Sequence, residues 1–136
     1  MFIYFIKNIR NNRIYIGSTN NFDRRKSEHI LCIKKKVHPN KKIQQDLAFF
    51  GEEDFDISIV SSIPNISDLW LKAIEEMWIS YLYTAFNLYN INRFTTSFIH
   101  PVSISKSEKK AFRIVRKVEM LKASEMITIE HNLHLV

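Results

Sequence analysis

The first twenty residues place the strongest constraint on the fold, because they hold two short strand-like segments with a turn between them. Residues 2–7 and 13–17 are rich in aromatic and β-branched residues, which favour strands. Asn11 and Asn12 lie between the two segments, and asparagine is a common turn residue. The chain is therefore predicted to open with a β-hairpin.

Apolar residues at helical spacing follow the hairpin directly. Asn20 or Asn21 can cap a first helix that runs to about Lys35. Asn40 can cap a second helix that runs through Phe50 and ends at the following glycine. Two short helices are therefore expected between residues 20 and 51.

One more strand and one more helix complete the predicted core. Phe55, Ile57 and Ile59 alternate with polar neighbours, which is typical of a strand, and Ser67 can cap a helix that runs to about Tyr83. The order strand, strand, helix, helix, strand, helix predicts the α+β class, with helices against a small three-stranded mixed or antiparallel sheet.

The C-terminal third reads as an appendage to this core. Residues 1–92 are predicted to form the domain, 93–105 a linker, and the rest of 93–136 a tail helix that begins with a capping box formed by Ser105 and Glu108. The predicted apolar stripe of the tail helix comprises Ala111, Ile114, Val118 and Leu121. Its basic residues are Lys109, Lys110, Arg113, Arg116 and Lys117. The helix could pack on the domain, bind phosphate or dock on a protein partner.

Composition excludes several classes of protein. With 2 glycines in 136 residues, there is no glycine cluster of the kind that cradles nucleotide phosphates. Cys32 is the single cysteine, so neither a disulfide framework nor a cysteine-based zinc site can form within the chain. No apolar run approaches the roughly 20 residues of a membrane helix, and no signal peptide is evident. We therefore expect a soluble, intracellular protein without a membrane partner.

The net charge of +6 is unevenly distributed along the chain. Residues 1–50 hold eleven basic and three acidic residues, whereas residues 51–95 hold two basic and seven acidic ones. A basic face is therefore expected, and nucleic acid is the commonest polyanion that such a face binds. The alternative is that the basic charge merely keeps the protein soluble.

The hairpin also carries a recognisable motif. Phe-Ile-Tyr stands at residues 2–4 and Tyr-Ile-Gly at 15–17, and Ser18, Arg25 and His29 follow. The same ordered set continues with Asn40, Gln45, Gly51, Phe55, Glu75, Trp78, Tyr89 and Asn90. Over about residues 2–92 this pattern resembles the GIY-YIG nuclease family, especially its phage and intron homing-endonuclease branch. Phe2 stands where the family has its first glycine.

The resemblance implies a metal-dependent endonuclease that hydrolyses phosphodiester bonds of DNA. It implies Tyr4 as the group that accepts the proton of the attacking water, and Tyr15 as a positioning group or an alternative base. Arg25 and His29 lie one helical turn apart, where they can bind phosphate and handle a proton. Asn90 could orient a side chain or a phosphate, or simply form a turn.

Helical periodicity distinguishes the two adjacent glutamates of the third helix. Glu75 falls at the edge of the predicted apolar stripe and Glu76 almost opposite it. The family's metal-binding glutamate corresponds to Glu75, so we expect one Mg²⁺ or Mn²⁺ ion there, completed by water and phosphate oxygens. A lone carboxylate argues against a two-metal site.

A dense basic segment between the first two helices is the predicted DNA-binding surface. It comprises Lys34, Lys35, Lys36, His38, Lys41 and Lys42. Such residues contact the phosphate backbone without reading sequence. Arg13 is the further basic residue expected near DNA and near Tyr15. The alternative for the basic segment is a solvated loop that binds nothing. The alternatives for the whole protein are a noncatalytic DNA-binding module and an accessory protein that needs a partner to target it.

Overall fold

The computed structural model describes residues 1–90 and 105–134. Its strands are β1 (Phe2–Asn8), β2 (Ile14–Thr19) and β3 (Phe55–Ser62). Its helices are α1 (Phe22–Lys35), α2 (Lys41–Phe50), α3 (Asp68–Leu82) and α4 (Lys106–His134), with one turn of 3₁₀ helix at Glu52–Asp54 that the sequence did not indicate. The predicted α+β class and the C-terminal helix are confirmed.

The three strands form one sheet in the order β2-β1-β3, and both pairings are antiparallel. Tyr4 of β1 lies opposite Gly17 of β2, so the two halves of the motif face each other across the hairpin. A hydrogen bond of 2.9 Å from the backbone N–H of Asn8 to the backbone carbonyl of Arg13 closes the turn. Asn12 lies in the left-handed region, at φ 61°. The predicted hairpin is therefore confirmed.

Side-chain caps begin the helices where the sequence predicted them. The side chains of Asn21, Asn40 and Ser67 each accept a hydrogen bond from a backbone amide in the first turn of the helix that follows. Gly51 ends α2 at φ 102°, a conformation that other residues rarely adopt. These caps fix the starts of α1 and α3, which flank the site described below.

Alternation along β1 divides the core between the two faces of the sheet. Tyr4 and Ile6 point toward α1 and α2, where they pack with Ile33, Ile43 and Leu47. On the opposite face, the buried side chains of β1, β2 and α3 form a second cluster that α4 extends; it includes Ile3, Phe5, Ile16, Ile74 and Trp78. The sheet is thus a middle layer between two pairs of helices.

The tail helix packs on α3 through a different face from the predicted one. Phe112 stacks on Trp70 at 4.0 Å between ring centroids, and Ala123 is fully buried. The predicted stripe faces outward instead, with exposed fractions of 57% for Ile114, 46% for Val118 and 63% for Leu121. The helix carries two apolar stripes, and the one with the large ring of Phe112 is the one that α3 covers.

A buried polar contact fixes α4 against α3. Glu119 is 2% exposed, accepts a hydrogen bond of 3.2 Å from the Trp78 indole nitrogen and pairs with Lys122 at 2.8 Å. Ser105 and Glu108 exchange the two hydrogen bonds of the predicted capping box. Of the predicted linker, 93–105, all but Ser105 lies outside the described residues, so the division of the chain at residue 92 stays a prediction. No helix within the described ranges is long and apolar enough to cross a membrane.

Candidate active site

A cleft of about 340 Å³ lies at the end of β2, between the first turns of α1 and α3. Its walls include Ser18 from β2, Arg25 from α1, and Asp68 and Lys72 from α3. At the edge strand β2, residues from α1 on one face of the sheet and from α3 on the other therefore line the same open cleft.

Gly17 is required beneath this site because the Tyr4 ring lies directly over it. A Cβ atom on Gly17 would stand 2.3 Å from Cζ and 2.4 Å from the hydroxyl oxygen of Tyr4, closer than such atoms approach one another. The glycine of the Tyr-Ile-Gly triplet is thus explained by close packing. Its function is to leave room for the Tyr4 phenol.

The Tyr4 hydroxyl group is the meeting point of α1 and the sheet. It lies 2.8 Å from His29 Nε2 and accepts a hydrogen bond of 3.3 Å from Arg25 Nε. Burial, followed by the neighbouring Tyr15, raises the pKa of Tyr4 well above its ordinary value, and Arg25 opposes that increase. The phenol is therefore protonated at neutral pH in the free protein, although two donors point at its oxygen.

A chain of hydrogen bonds fixes the protonation of the two buried histidines. The backbone N–H of Asn40 donates to His38 Nδ1 at 3.1 Å, so the proton of neutral His38 must reside on Nε2. That nitrogen lies 3.0 Å from His29 Nδ1, which leaves His29 with a proton on Nε2 to donate to Tyr4. Burial, then the Arg25 charge, lowers the pKa of each histidine to about 4.

The structure does not place His38 at the surface, where its predicted contact with DNA would require it. His38 is buried and its ring is stacked on His29. Its position in a lysine-rich segment suggested exposure, but the turn after α1 folds it inward. His29, which was predicted to donate a hydrogen bond or pass a proton near neutral pH, has its pKa lowered by the same burial and is therefore neutral at pH 7.

Arg25 reaches the cleft while it is held by two neighbours. Its Nε donates to Tyr4, and its Nη1 donates to Glu28 at 2.8 Å. Glu28 also accepts a hydrogen bond of 2.7 Å from Arg24. The Arg25 side chain remains 38% exposed, so its charge is available to a ligand in the cleft.

Glu75 approaches the cleft from α3 and is more deeply buried than predicted, at 3% exposure. One carboxylate oxygen, Oε2, accepts from the Ser18 hydroxyl at 2.7 Å and from Lys72 Nζ at 2.8 Å. Glu76 is only partly exposed, so the contrast between the two glutamates is smaller than periodicity suggested. Sequence reasoning missed Lys72, although its spacing three residues before Glu75 is typical of a helical ion pair.

Tyr15 lies beside the Tyr4–His29 pair, with its ring centroid 6.5 Å from that of Tyr4 and 5.9 Å from that of His29. Burial, then the Glu75 charge, raises its pKa, whereas the positive charges of Arg25 and Lys72 lower it. The predicted neighbour, Arg13, contributes none of these effects.

Arg13 is instead held away from the cleft. Its Nη1 donates to Asp46 at 3.3 Å and its guanidinium lies 4.5 Å from the centre of the Tyr89 ring. Asn90 also has a structural position, because its side chain donates to the Ile16 carbonyl and accepts from the Ile16 amide, both at 2.9 Å. Asn90 thus fastens the segment that follows α3 to β2 at Ile16, between Tyr15 and Gly17.

The remaining basic residues of the predicted surface lie in the last turn of α1, in the first turn of α2 and at Lys36 between them. Lys34, Lys35, Lys36 and Lys41 are exposed, and Lys42 is half-buried.

Phe2, at the start of β1, lies near Phe22 at 6.3 Å between ring centroids, and the Phe22 ring lies 6.0 Å from that of Tyr4. Phe2 therefore extends the aromatic cluster behind the Tyr4 ring.

The donor set at Glu75 fits a hard divalent cation that keeps most of its water. The described residues contain no group of three or more His, Cys, Asp or Glu side chains that could enclose a metal ion. Glu75 presents a buried carboxylate beside an open cleft, and Mg²⁺ commonly binds proteins through one or two carboxylates plus water and phosphate. A cation here would rest on one protein ligand.

Comparison with known proteins finds one matching protein family and a similar phage protein. The family model of the GIY-YIG catalytic domain matches residues 1–90. Intron-associated endonuclease 1 of Enterobacteria phage T4 is 34% identical over 123 residues, which cover 88% of this chain and 49% of that protein. The chain thus spans about half the length of this curated relative.

Two solved structures resemble the fold at 35% sequence identity and a TM-score of 0.58. One is a mutant of the catalytic domain of intron endonuclease I-TevI, matched over 70% of this chain and 96% of that chain. The other is the catalytic domain of homing endonuclease I-TevI, matched over 67% of this chain and 97% of that chain.

Proposed function

Because this chain belongs to the GIY-YIG family of endonucleases, we propose that it hydrolyses phosphodiester bonds of DNA, with one Mg²⁺ or Mn²⁺ ion held at Glu75. The observation that carries the proposal is the Tyr4 hydroxyl group, on which Arg25 and His29 converge beside the cleft. A buried hydroxyl group is expected to have hydrogen-bond partners, and here both partners are nitrogen atoms beside the cleft, an arrangement that suits proton transfer at the Tyr4 oxygen.

Tyr4 is the proposed acceptor of the proton of the attacking water. The histidine chain directs the His29 proton onto its oxygen, and Arg25 directs a second proton onto the same atom. Both contacts favour the phenolate, in which that oxygen carries the negative charge. Burial acts in the opposite sense, so the active form is a minor one at neutral pH and its population rises with pH.

Arg25 is the proposed donor to the phosphate. Its guanidinium is partly exposed to the cleft while Tyr4 and Glu28 fix its orientation. A donor held in advance stabilises the charge that develops on the phosphate oxygens in the transition state. Tyr15 lies close enough to Tyr4 and His29 to position the phenol or to serve as the alternative base.

Glu75, with water and phosphate oxygens, would hold the cation. When bound, a divalent cation polarises the phosphate and neutralises developing charge. The role of the protein is to hold the Glu75 carboxylate in a fixed orientation, which the hydrogen bond from Ser18 supports.

The proposed contact with duplex DNA uses the exposed lysines at the end of α1 and the start of α2. Lys34 and Lys35 in the last turn of α1, Lys36 just after it, and Lys41 at the start of α2 are all exposed to solvent. They would bind the phosphate backbone and give affinity that falls with salt. Neither the family model nor the relatives indicate a protein partner for α4.

The decisive experiment is cleavage of supercoiled plasmid with Mg²⁺, with Mn²⁺ and with a chelator. We expect nicked or linear product only with the divalent ions. Glu75→Gln should abolish that product while the circular dichroism spectrum and DNA affinity change little, because the substitution keeps the shape of the side chain and removes its charge.

Glu76→Gln is the matched control on the same helix and should cut at nearly the normal rate. Equal cutting by the two variants would refute the assignment of Glu75. A wild-type protein that binds DNA and leaves plasmid intact under every condition would support the noncatalytic alternative.

A further inference from the structure

We propose that Lys72 is a resident cation at the metal site: its ammonium group neutralises Glu75 in the metal-free protein and has to leave before a divalent ion can bind. This inference rests on the proposed function, because it takes Glu75 as the metal ligand. It concerns the loading of the site and not the chemical step.

The Lys72–Glu75 ion pair lies where a metal ion would have to compete with the lysine for the carboxylate. Lys72 Nζ lies 2.8 Å from Glu75 Oε2, and the exposed fraction of the Glu75 side chain is 4%. The Lys72 side chain is 44% exposed and lines the cleft. The ammonium therefore approaches the buried carboxylate from the open side, which is the side from which a hydrated ion must arrive.

The two cations exclude each other for reasons of space and of charge. Ser18 and Lys72 both donate to the same oxygen, so a metal ion on that oxygen would occupy the position of the ammonium. If the lysine stayed beside the ion, two positive charges would repel each other at short range in a partly desolvated site. Binding of the ion therefore includes the cost of breaking the Lys72–Glu75 pair.

A second carboxylate offers the displaced lysine another partner. Asp68 precedes Lys72 by one helical turn, is exposed and lines the same cleft. Residues four apart on a helix are neighbours, so the Lys72 ammonium can move from Glu75 to Asp68 by side-chain rotation alone. Lys72 then stays at the mouth of the cleft, where a phosphate would enter.

The test is Mn²⁺ affinity without DNA, measured from the electron paramagnetic resonance signal of free Mn²⁺. Lys72→Met keeps most of the aliphatic stem and removes the charge, and we expect it to bind Mn²⁺ about three- to tenfold more tightly than the wild type. Lys72→Gln should act in the same direction, whereas Lys72→Arg should bind no more tightly than the wild type. Lys7→Met removes one exposed positive charge elsewhere and should leave the affinity unchanged.

Unfolding in a chelator gives a readout that is independent of metal binding. Without Lys72, Ser18 is the one described residue that still donates a hydrogen bond to the buried Glu75 carboxylate, so Lys72→Met should unfold at a lower temperature than the wild type. Saturating Mn²⁺ should then raise the unfolding temperature of Lys72→Met by more than that of the wild type.

Glu75→Gln separates failure of this inference from failure of the proposed function. If the wild type binds Mn²⁺, Glu75→Gln does not, and Lys72→Met matches the wild type, only the role of Lys72 is refuted. If Mn²⁺ binding is the same in the wild type, Glu75→Gln and Lys72→Met, the metal assignment fails and the role of Lys72 fails with it.

Discussion

At the scale of single residues, the two charged groups proposed to bind ligands, Arg25 and Glu75, each form an ion pair with a residue three positions away on the same helix. Arg25 pairs with Glu28 on α1, and Glu75 pairs with Lys72 on α3. In the free protein both groups are thus paired within their own helix before any ligand arrives. A phosphate and a divalent cation would each have to compete with one of these local partners.

Gly17→Ala is the sharpest test of the position of the Tyr4 phenol. The added methyl group would overlap the Tyr4 ring, so the ring must move away from Arg25 and His29. We expect the single-turnover cleavage rate to fall by about 10²-fold or more, the size of effect known for displaced catalytic groups. The substitution should leave secondary structure unchanged by circular dichroism.

Gly51→Ala is the control, because it strains the backbone at φ 102° far from the cleft. It should lower stability and leave the cleavage rate near normal at temperatures where it is folded. Normal cutting by Gly17→Ala would show that the phenol is not needed where the structure has it.

At the scale of elements, α4 shows the limit of periodicity as a guide. Its start was predictable from the capping box of Ser105 and Glu108, but its packed face was not. One stripe contains Ile114 and Leu121, the other contains Phe112, and either can bury a similar apolar area. The choice depends on Trp70, which presents its ring to Phe112 and precedes it by more than forty residues.

Paired substitutions on α4 test which face is packed. Phe112→Ala should lower the free energy of unfolding by about 2–3 kcal/mol, because it removes a ring stacked on Trp70. Leu121→Ala should change it by about 0.5 kcal/mol or less, since that side chain is exposed. Urea unfolding measures both. A larger loss for Leu121→Ala than for Phe112→Ala would reverse the assignment of the faces.

The same reasoning explains which parts of the site were predictable. Strands, caps and Glu75 follow from local signals, namely alternation, N-cap residues and the edge of an apolar stripe. His38 does not, because a histidine among lysines gives no local sign that its ring will stack on His29. The partners of Arg13 and Asn90 are likewise set by contacts with residues thirty to seventy positions away.

At the scale of the whole molecule, basic residues at two places are expected to have two different functions: Arg25 in the cleft acts in cleavage, and the lysines at the end of α1 act in binding DNA. Arg25→Ala should reduce the cleavage rate by roughly 10²-fold while duplex affinity falls little, since its donors act mainly on the transition state. Simultaneous replacement of Lys34, Lys35 and Lys36 by Ala should do the opposite. It should weaken binding to all sequences and flatten the dependence of log affinity on log salt.

Fluorescence anisotropy at several salt concentrations and single-turnover cleavage distinguish the two effects. An Arg25→Ala protein that binds DNA poorly and cuts bound DNA at the normal rate would contradict the role proposed for Arg25. An unchanged salt slope in the triple-lysine variant would remove those lysines from the DNA-binding surface.

The buried histidine pair makes the stability of the whole fold depend on pH. In the unfolded chain His29 and His38 take up protons near pH 6.5, whereas in the folded protein their pKa values are lowered to about 4. The unfolded state therefore binds more protons between these values, and stability that is complete above pH 6.5 is lost as the pH falls toward 4.

We expect the urea midpoint to be clearly lower at pH 5 than at pH 7.5, with uptake of about two protons on unfolding at pH 5. The charged groups that face the pair are Arg25, which opposes protonation, and Glu28, which weakly favours protonation of His29. Replacement of both histidines by Gln should lower stability at pH 7.5 and remove most of the difference between the two pH values. His131→Gln alters an exposed histidine and should keep the difference. Equal midpoints at pH 5 and pH 7.5 in the wild type would mean that His29 and His38 take up protons in the folded state as readily as in the unfolded chain, and the fixed direction of the hydrogen bonds onto Tyr4 would then be lost.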